Sequence, residues 1–228
     1  MLRLGIKYAI THIEDKALWV LHHDYPKTLE EWDSLSHDRL RIRYDPQKKS
    51  STTSEVISLG HEFQLLTILP AAYTRYIEQR MLVGSFRSKT LWFLIILFEQ
   101  KHIGNDNRLP DKARERCLIG YARILAYLKE KSVEACCPPL LLPSTKCRTR
   151  RKCDANKCQT IKDLPVWATK ESRGFGVFKK KYAVVTEILC SKCRAEVKKL
   201  TDEVRSDFWS VLPSFFELPD WTDLRDEI

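Results

Sequence analysis

The feature that most constrains this chain is a set of two short-spaced cysteine pairs in a region without a hydrophobic repeat. The pairs are CDANKC at residues 153–158 and CSKC at residues 190–193. The sequence leading into them, residues 136–160, contains three prolines and no helical period. Such a segment lacks the apolar residues that would order it, so we expect something other than a hydrophobic core to hold it together.

Structural zinc is the interpretation that the cysteine spacing favours. Zn²⁺ takes four soft ligands at tetrahedral corners, about 2.3 Å from each sulfur, and two short-spaced pairs are a frequent way to supply them. The predicted ligands are Cys153, Cys158, Cys190 and Cys193. Cys147 competes with Cys153 for a place, and Cys136 and Cys137 are further candidates. The alternative is that Cys193 packs beneath a helix and the other cysteines bind nothing.

Positive charge is concentrated in the same region. The chain carries a net charge of +9, and residues 141–200 hold 16 Lys and Arg against 5 Asp and Glu. Clustered cations bind phosphate backbones through counterion release, and aromatic side chains stack on bases. The aromatic residues interleaved here are Trp167, Phe175, Phe178 and Tyr182. The sequence thus allows a zinc-stabilised nucleic-acid-binding protein, or simply a solvated cationic surface.

Helical periodicity and capping signals dominate the rest of the chain. Thr11 with Glu14 and Thr28 with Glu31 have the spacing of capping boxes. After Pro110, the stripe of Ala113, Cys117, Tyr121, Ile124 and Leu128 predicts a helix with one buried face. A long C-terminal helix is expected to begin near Cys190 and end at Pro213.

The predicted fold class is therefore mostly α, an irregular helical bundle with a cysteine-containing basic module and a long C-terminal helix. We expect a helical body over residues 1–130 and the basic module over residues 131–228. The aromatic stretch FWSVLPSFFELPDW near the C-terminus is expected to pack back on the body. Contact with a partner is the alternative for that stretch.

Several functions are disfavoured by the sequence. It contains no G-x-S-x-G, no glycine-rich phosphate loop and no H-E-x-x-H, so no enzymatic activity is expected. The longest apolar run, residues 91–98, would rise only about 12 Å as a helix, far less than a bilayer core. With no secretory signal visible and cysteines more typical of metal ligands than of disulfides, the expected location is the cytoplasm or the nucleus.

Four stretches of the chain share motifs with one protein family. They are residues 2–33, residues 62–73 with LPAA, residues 117–125 with CLIG, and residues 190–221 with CSKC and LPSFF. In the first stretch the matching residues are Leu2, Leu4, Lys7, Tyr8, Tyr25, Pro26, Thr28, Leu29 and Trp32. Together these stretches resemble the C-terminal helical region of BTB/POZ domain-containing proteins of mushroom-type fungi. Related fungal F-box proteins share a similar ending.

The resemblance implies a particular kind of function. The strand-rich BTB core of the family lies before the helix that starts this chain, so the chain resembles a truncated member. The implied function is a non-enzymatic protein–protein interaction, as an adaptor for a ubiquitin ligase. The implied partner is a cullin-type ligase component.

Overall fold

The expected mostly helical fold is confirmed by a computed structural model of the chain. The structure describes residues 1–35, 42, 52–81, 109–136, 144–155 and 189–227. The helices in these ranges are α1 (Leu2–Lys7), α2 (Thr11–Asp24), α3 (Leu29–Ser34), α4 (Thr52–Glu62), α5 (Leu69–Met81), α6 (Asp111–Cys136) and α7 (Ser191–Phe215), with a 3₁₀ turn at Leu66–Ile68 and a helical stretch at residues 150–155. No helix in this part of the chain has both the length and the apolar character needed to cross a membrane.

The first helices begin and end largely where local signals place them. The Thr28 hydroxyl accepts a hydrogen bond from the backbone N–H of Glu31 at 3.3 Å, so the predicted cap of α3 is confirmed. The cap predicted at Thr11 is wrong, because Ile10 occupies the N-cap position and Thr11 is already helical. Ala9 lies in the left-handed region at φ 52° and makes the turn between α1 and α2.

The two long helices follow their predicted courses with one correction. α6 starts directly after Pro110, and Ala113, Cys117 and Ile124 of the predicted stripe are buried. α7 continues two residues beyond Pro213, where the sequence predicted its end. Proline removes only one backbone donor, and the helix ends where Glu217 adopts φ 56°.

Contacts divide the chain into two compact units. Unit 1 comprises Met1–Gly120 and Val211–Ile228, and unit 2 comprises Tyr121–Ser210. This division differs from the one expected at residues 130 and 131, because the last residues of the chain belong to unit 1 and not to the cysteine-containing module. The boundaries between the units fall inside α6 and α7. Because the helices continue across them, the sequence contains no linker at these points that would indicate a boundary.

The core of unit 1 contains stacked aromatic rings. Tyr73 of α5 is fully buried, and its ring lies 4.9 Å from that of Phe216 in a stacked arrangement. His61 of α4 lies 2.6 Å from the Tyr73 hydroxyl. Gly120 of α6 faces the Phe216 ring so closely that a Cβ would overlap it. Glycine is required at this position because the ring occupies the space of a side chain.

The C-terminal residues pack back on unit 1, which confirms the prediction made for the aromatic stretch. Asp226 forms an antiparallel bridge with Leu65, and its carboxylate accepts hydrogen bonds from the backbone N–H and hydroxyl of Thr67 at 2.9 and 2.8 Å. His22 Nε2 lies 2.8 Å from the same carboxylate. Burial alone would raise the pKa of Asp226, but the bonds from His22 and Thr67 outweigh it and lower that pKa.

Unit 2 contains the second half of α6, the first part of α7 and the residues around the cysteines. The Tyr127 and Phe208 rings meet edge to face at 5.6 Å, so these two helices pack through aromatic side chains. The cysteine-bearing segments, 144–155 and 189–193, form a separate small cluster within this unit.

Candidate metal centre

Four cysteine thiols converge in unit 2. The Sγ atoms of Cys147, Cys153, Cys190 and Cys193 all lie within 4.8 Å of one another. None of them is in a disulfide. Two segments separated in sequence supply two cysteines each, so the cluster joins parts of the chain that share no helix.

The first pair is placed by a turn followed by helical residues. The backbone N–H of Cys147 donates to the carbonyl of Ser144 at 2.9 Å, which closes a turn. The N–H of Cys153 donates to the carbonyl of Thr149 at 2.9 Å, so Cys153 lies one helical turn beyond it. This backbone course brings together two thiols that five residues separate.

The second pair lies at the start of α7. Cys190 directly precedes the helix and Cys193 lies in its first turn. The N-terminal end of a helix carries partial positive charge, which favours thiolate over thiol. The C-x-x-C spacing therefore places both sulfurs near the start of the helix, and the helix end favours the thiolate at Cys190.

Two of the four sulfurs accept hydrogen bonds from backbone amides. The N–H of Ser144 donates to the sulfur of Cys193, and the N–H of Cys190 to that of Cys153, both at 3.4 Å. The backbone amides of Thr149 and Cys193 act to lower the pKa values of the Cys147 and Cys190 thiols. Such donors offset the charge of thiolates and orient them, as groups surrounding a metal centre do.

The thiols differ in acidity. The backbone N–H of Cys193 lowers the pKa of the Cys190 thiol to about 6. Burial raises the pKa of Cys193 to about 12 and also raises that of Cys147. The proton of Cys190 is therefore lost more readily than the protons of Cys193 and Cys147, which a bound cation would replace.

The sulfur positions fit a tetrahedral ion. Metal–sulfur bonds of about 2.3 Å require sulfur–sulfur separations of about 3.8 Å. Cys147 and Cys190 are 3.6 Å apart, and every other pair lies within 4.8 Å. The four thiols can hold a metal ion with small side-chain movements.

The structure brings together three of the four predicted ligands. Cys153, Cys190 and Cys193 lie in the cluster, and the fourth place is taken by Cys147, which the sequence offered as a competitor. Cys158 lies outside the described residues, as do the aromatic residues interleaved in the basic region. In the sequence, Cys147 stands shortly before residues 150–155, which are helical in the structure. That position does not select Cys147 as a ligand until the path of the backbone is known.

Little apolar material surrounds the cluster. Among the described residues, its buried members are Cys153, Cys193 and a single aliphatic residue, Leu189, with Cys147 and Cys190 packed against them. One leucine cannot supply the burial that orders a segment of this size. Within the part of the chain that the structure describes, convergence of the sulfurs is thus the main interaction between the two segments.

The chain was compared with protein-family models, curated proteins and solved structures, and none of them matches it. The resemblance to the fungal BTB/POZ proteins stays a prediction from the motifs quoted above.

Proposed function

We propose that the four clustered cysteines hold a structural Zn²⁺ and that the chain is a non-catalytic binding protein. The observation that carries the zinc proposal is the convergence of the four sulfurs within 4.8 Å of one another. The backbone amides that donate to the sulfurs of Cys193 and Cys153 would offset part of the net charge of −2 of a zinc tetrathiolate.

The composition of the site supports a structural role for the ion. Four sulfur ligands complete the tetrahedron and leave no position for a substrate or an activated water. The scarcity of apolar residues around the cluster supports the same conclusion, because metal binding would replace the missing core as the source of order.

Metal analysis of the purified chain tests this proposal. We expect one zinc per chain, and a strong reduction in the Cys190→Ser variant. Zinc near zero in the wild-type protein would refute the metal centre. Iron in place of zinc would refute the choice of ion, since four thiolates also suit iron.

For the binding role, we propose a protein partner, as the resemblance to BTB/POZ adaptors implies, with a cullin-type ligase component as the first candidate. The supporting observation is a set of exposed apolar side chains at α1, formed by Leu4 within the helix and by Met1 and Tyr8 at its two ends, whose exposed fractions are 54%, 75% and 60%. These residues lie at helical spacing, and large exposed apolar side chains on one face are typical of contact surfaces. The cytoplasm or the nucleus would be the location of such an adaptor.

Affinity purification from a fungal extract tests the partner. We expect a cullin-ligase component to co-purify with the wild-type chain and to be lost from Leu4→Asp. His12→Asp, which places the same charge at an exposed position of α2, serves as the control. Absence of any ligase component, or equal recovery with all three proteins, would refute the adaptor role.

A further inference from the structure

Seven cations lie close in sequence to the four clustered cysteines. They are Lys146, Arg148, Arg150, Arg151 and Lys152 from one segment and Lys192 and Arg194 from the other, and we call them the cationic collar. All seven are exposed, and each lies within three residues of a clustered cysteine. By the same limit of three residues, two described acidic residues lie near a clustered cysteine, Asp154 and Glu196.

The cluster brings these charges together in space. Because the sulfurs of both segments lie within 4.8 Å of one another, the backbones of collar residues from the two segments lie near each other. Three residues of chain span at most about 11 Å, so every collar residue has its backbone within that distance of a cysteine. A surface about 20 Å across spans roughly six phosphates of one DNA strand.

The collar carries more charge than the metal centre needs. A zinc tetrathiolate has a net charge of −2, and Asp154 and Glu196 add one negative charge each. Against seven cations this leaves a surplus of about three positive charges. Further along α7 the charge is balanced, since Lys199 pairs with Glu203 at 3.6 Å.

We propose that the cationic collar binds the phosphate backbone of nucleic acid, and that it does so only while the metal holds the two segments together. This inference depends on the proposed zinc centre. Binding would be largely independent of base sequence, because lysine and arginine contacts to phosphates position a protein on a duplex without reading bases. Metal loss would separate the two groups of cations and remove their combined effect.

The salt dependence of binding tests the collar. The zinc-loaded full chain is titrated into a fluorescent random-sequence DNA duplex, and the dissociation constant is measured at about 50 and 200 mM salt. With about three phosphate contacts, we expect affinity to fall about 40-fold over this range. In the Arg150→Gln/Arg151→Gln variant two contacts are lost, and the fall should be about 3.5-fold.

A matched control separates local from overall charge. Lys16→Gln/Lys112→Gln removes the same two charges from exposed positions of unit 1. We expect it to keep the wild-type salt dependence. No binding at the lower salt, or an equal loss in the control and the collar variant, would overturn the proposal. If polyglutamate displaces the duplex as well as unlabelled DNA does, the proposal of nucleic acid is refuted in favour of acidic protein surfaces. The duplex would then have bound only as an adventitious polyanion.

A chelator arm distinguishes failure of this inference from failure of the zinc proposal. Stripping the metal should abolish duplex binding, and adding zinc back should restore it. If the wild-type chain contains zinc but binds duplex equally well without it, the metal dependence is refuted and the zinc centre stands. If the chain contains no zinc and the collar variant still weakens binding, the zinc centre and the metal dependence are both refuted.

Discussion

Exchange of single cysteines for serine separates the two possible zinc ligand sets. The structure places Cys147 in the cluster, 3.6 Å from Cys190, whereas the sequence spacing alone selects Cys158. Cys147→Ser should therefore weaken zinc binding strongly, and Cys158→Ser should leave it unchanged. Cys147 is half-buried, so serine leaves no cavity and the effect reports on the metal rather than on packing.

The size of the effect follows from the number of ligands. Structural zinc contributes about 10–16 kcal/mol to a small module, which is about 3 kcal/mol for each of four thiolates. Loss of one thiolate should weaken zinc binding by at least 100-fold, since each 1.4 kcal/mol is about a factor of ten.

Competition with a chromophoric chelator at neutral pH measures the zinc affinity of the three proteins. Circular dichroism of each zinc-loaded protein checks that the helical content is retained. Weakened binding in Cys158→Ser together with wild-type binding in Cys147→Ser would refute the ligand set that contains Cys147.

Three further changes test the fold. Gly120→Ala should destabilise the chain by about 1–3 kcal/mol in urea unfolding, because the new methyl group overlaps the Phe216 ring; an unchanged midpoint would contradict that packing. Asp226→Asn should cost about 1 kcal/mol at pH 7, since it weakens the pairing with His22. The pKa of Asp226 is lowered by folding, so its stabilisation is present above about pH 4 and lost on further acidification; a difference between the two proteins that persists at pH 2 would contradict this assignment. Thr28→Ala should cost about 1 kcal/mol by removing the α3 cap, and Thr28→Ser, which keeps the hydroxyl, should cost much less in the same assay.

Local features of the fold were predictable because their causes lie within a few residues. The cap at Thr28, the start of α6 after Pro110 and the buried stripe along that helix all follow from side chains close in sequence. The end of α7 was misplaced by two residues because proline near the last turn disturbs a single hydrogen bond.

Contacts between residues far apart in the chain could not be predicted from the sequence. The bond from Thr67 to Asp226 joins residues 159 positions apart, and nothing in either neighbourhood indicates the other. The same limit applies to Cys147 and Cys158, since spacing shows that thiols are available but not which way the chain turns between them. Three of the clustered cysteines could be chosen from their spacing, and the fourth required the path of the backbone.

The hydrogen bonds from Ser144 and Cys190 to the sulfurs have a consequence for how such a site evolves. Their donors are main-chain amides, which every residue type except proline carries. Ser144 can thus be exchanged for almost any residue without loss of its bond, whereas the contact of the Thr149 hydroxyl with the Cys153 sulfur at 3.4 Å depends on the side chain. Homologous proteins could keep this centre while almost every neighbouring residue changed. The spacing of their cysteines would then be the feature that still shows their common origin.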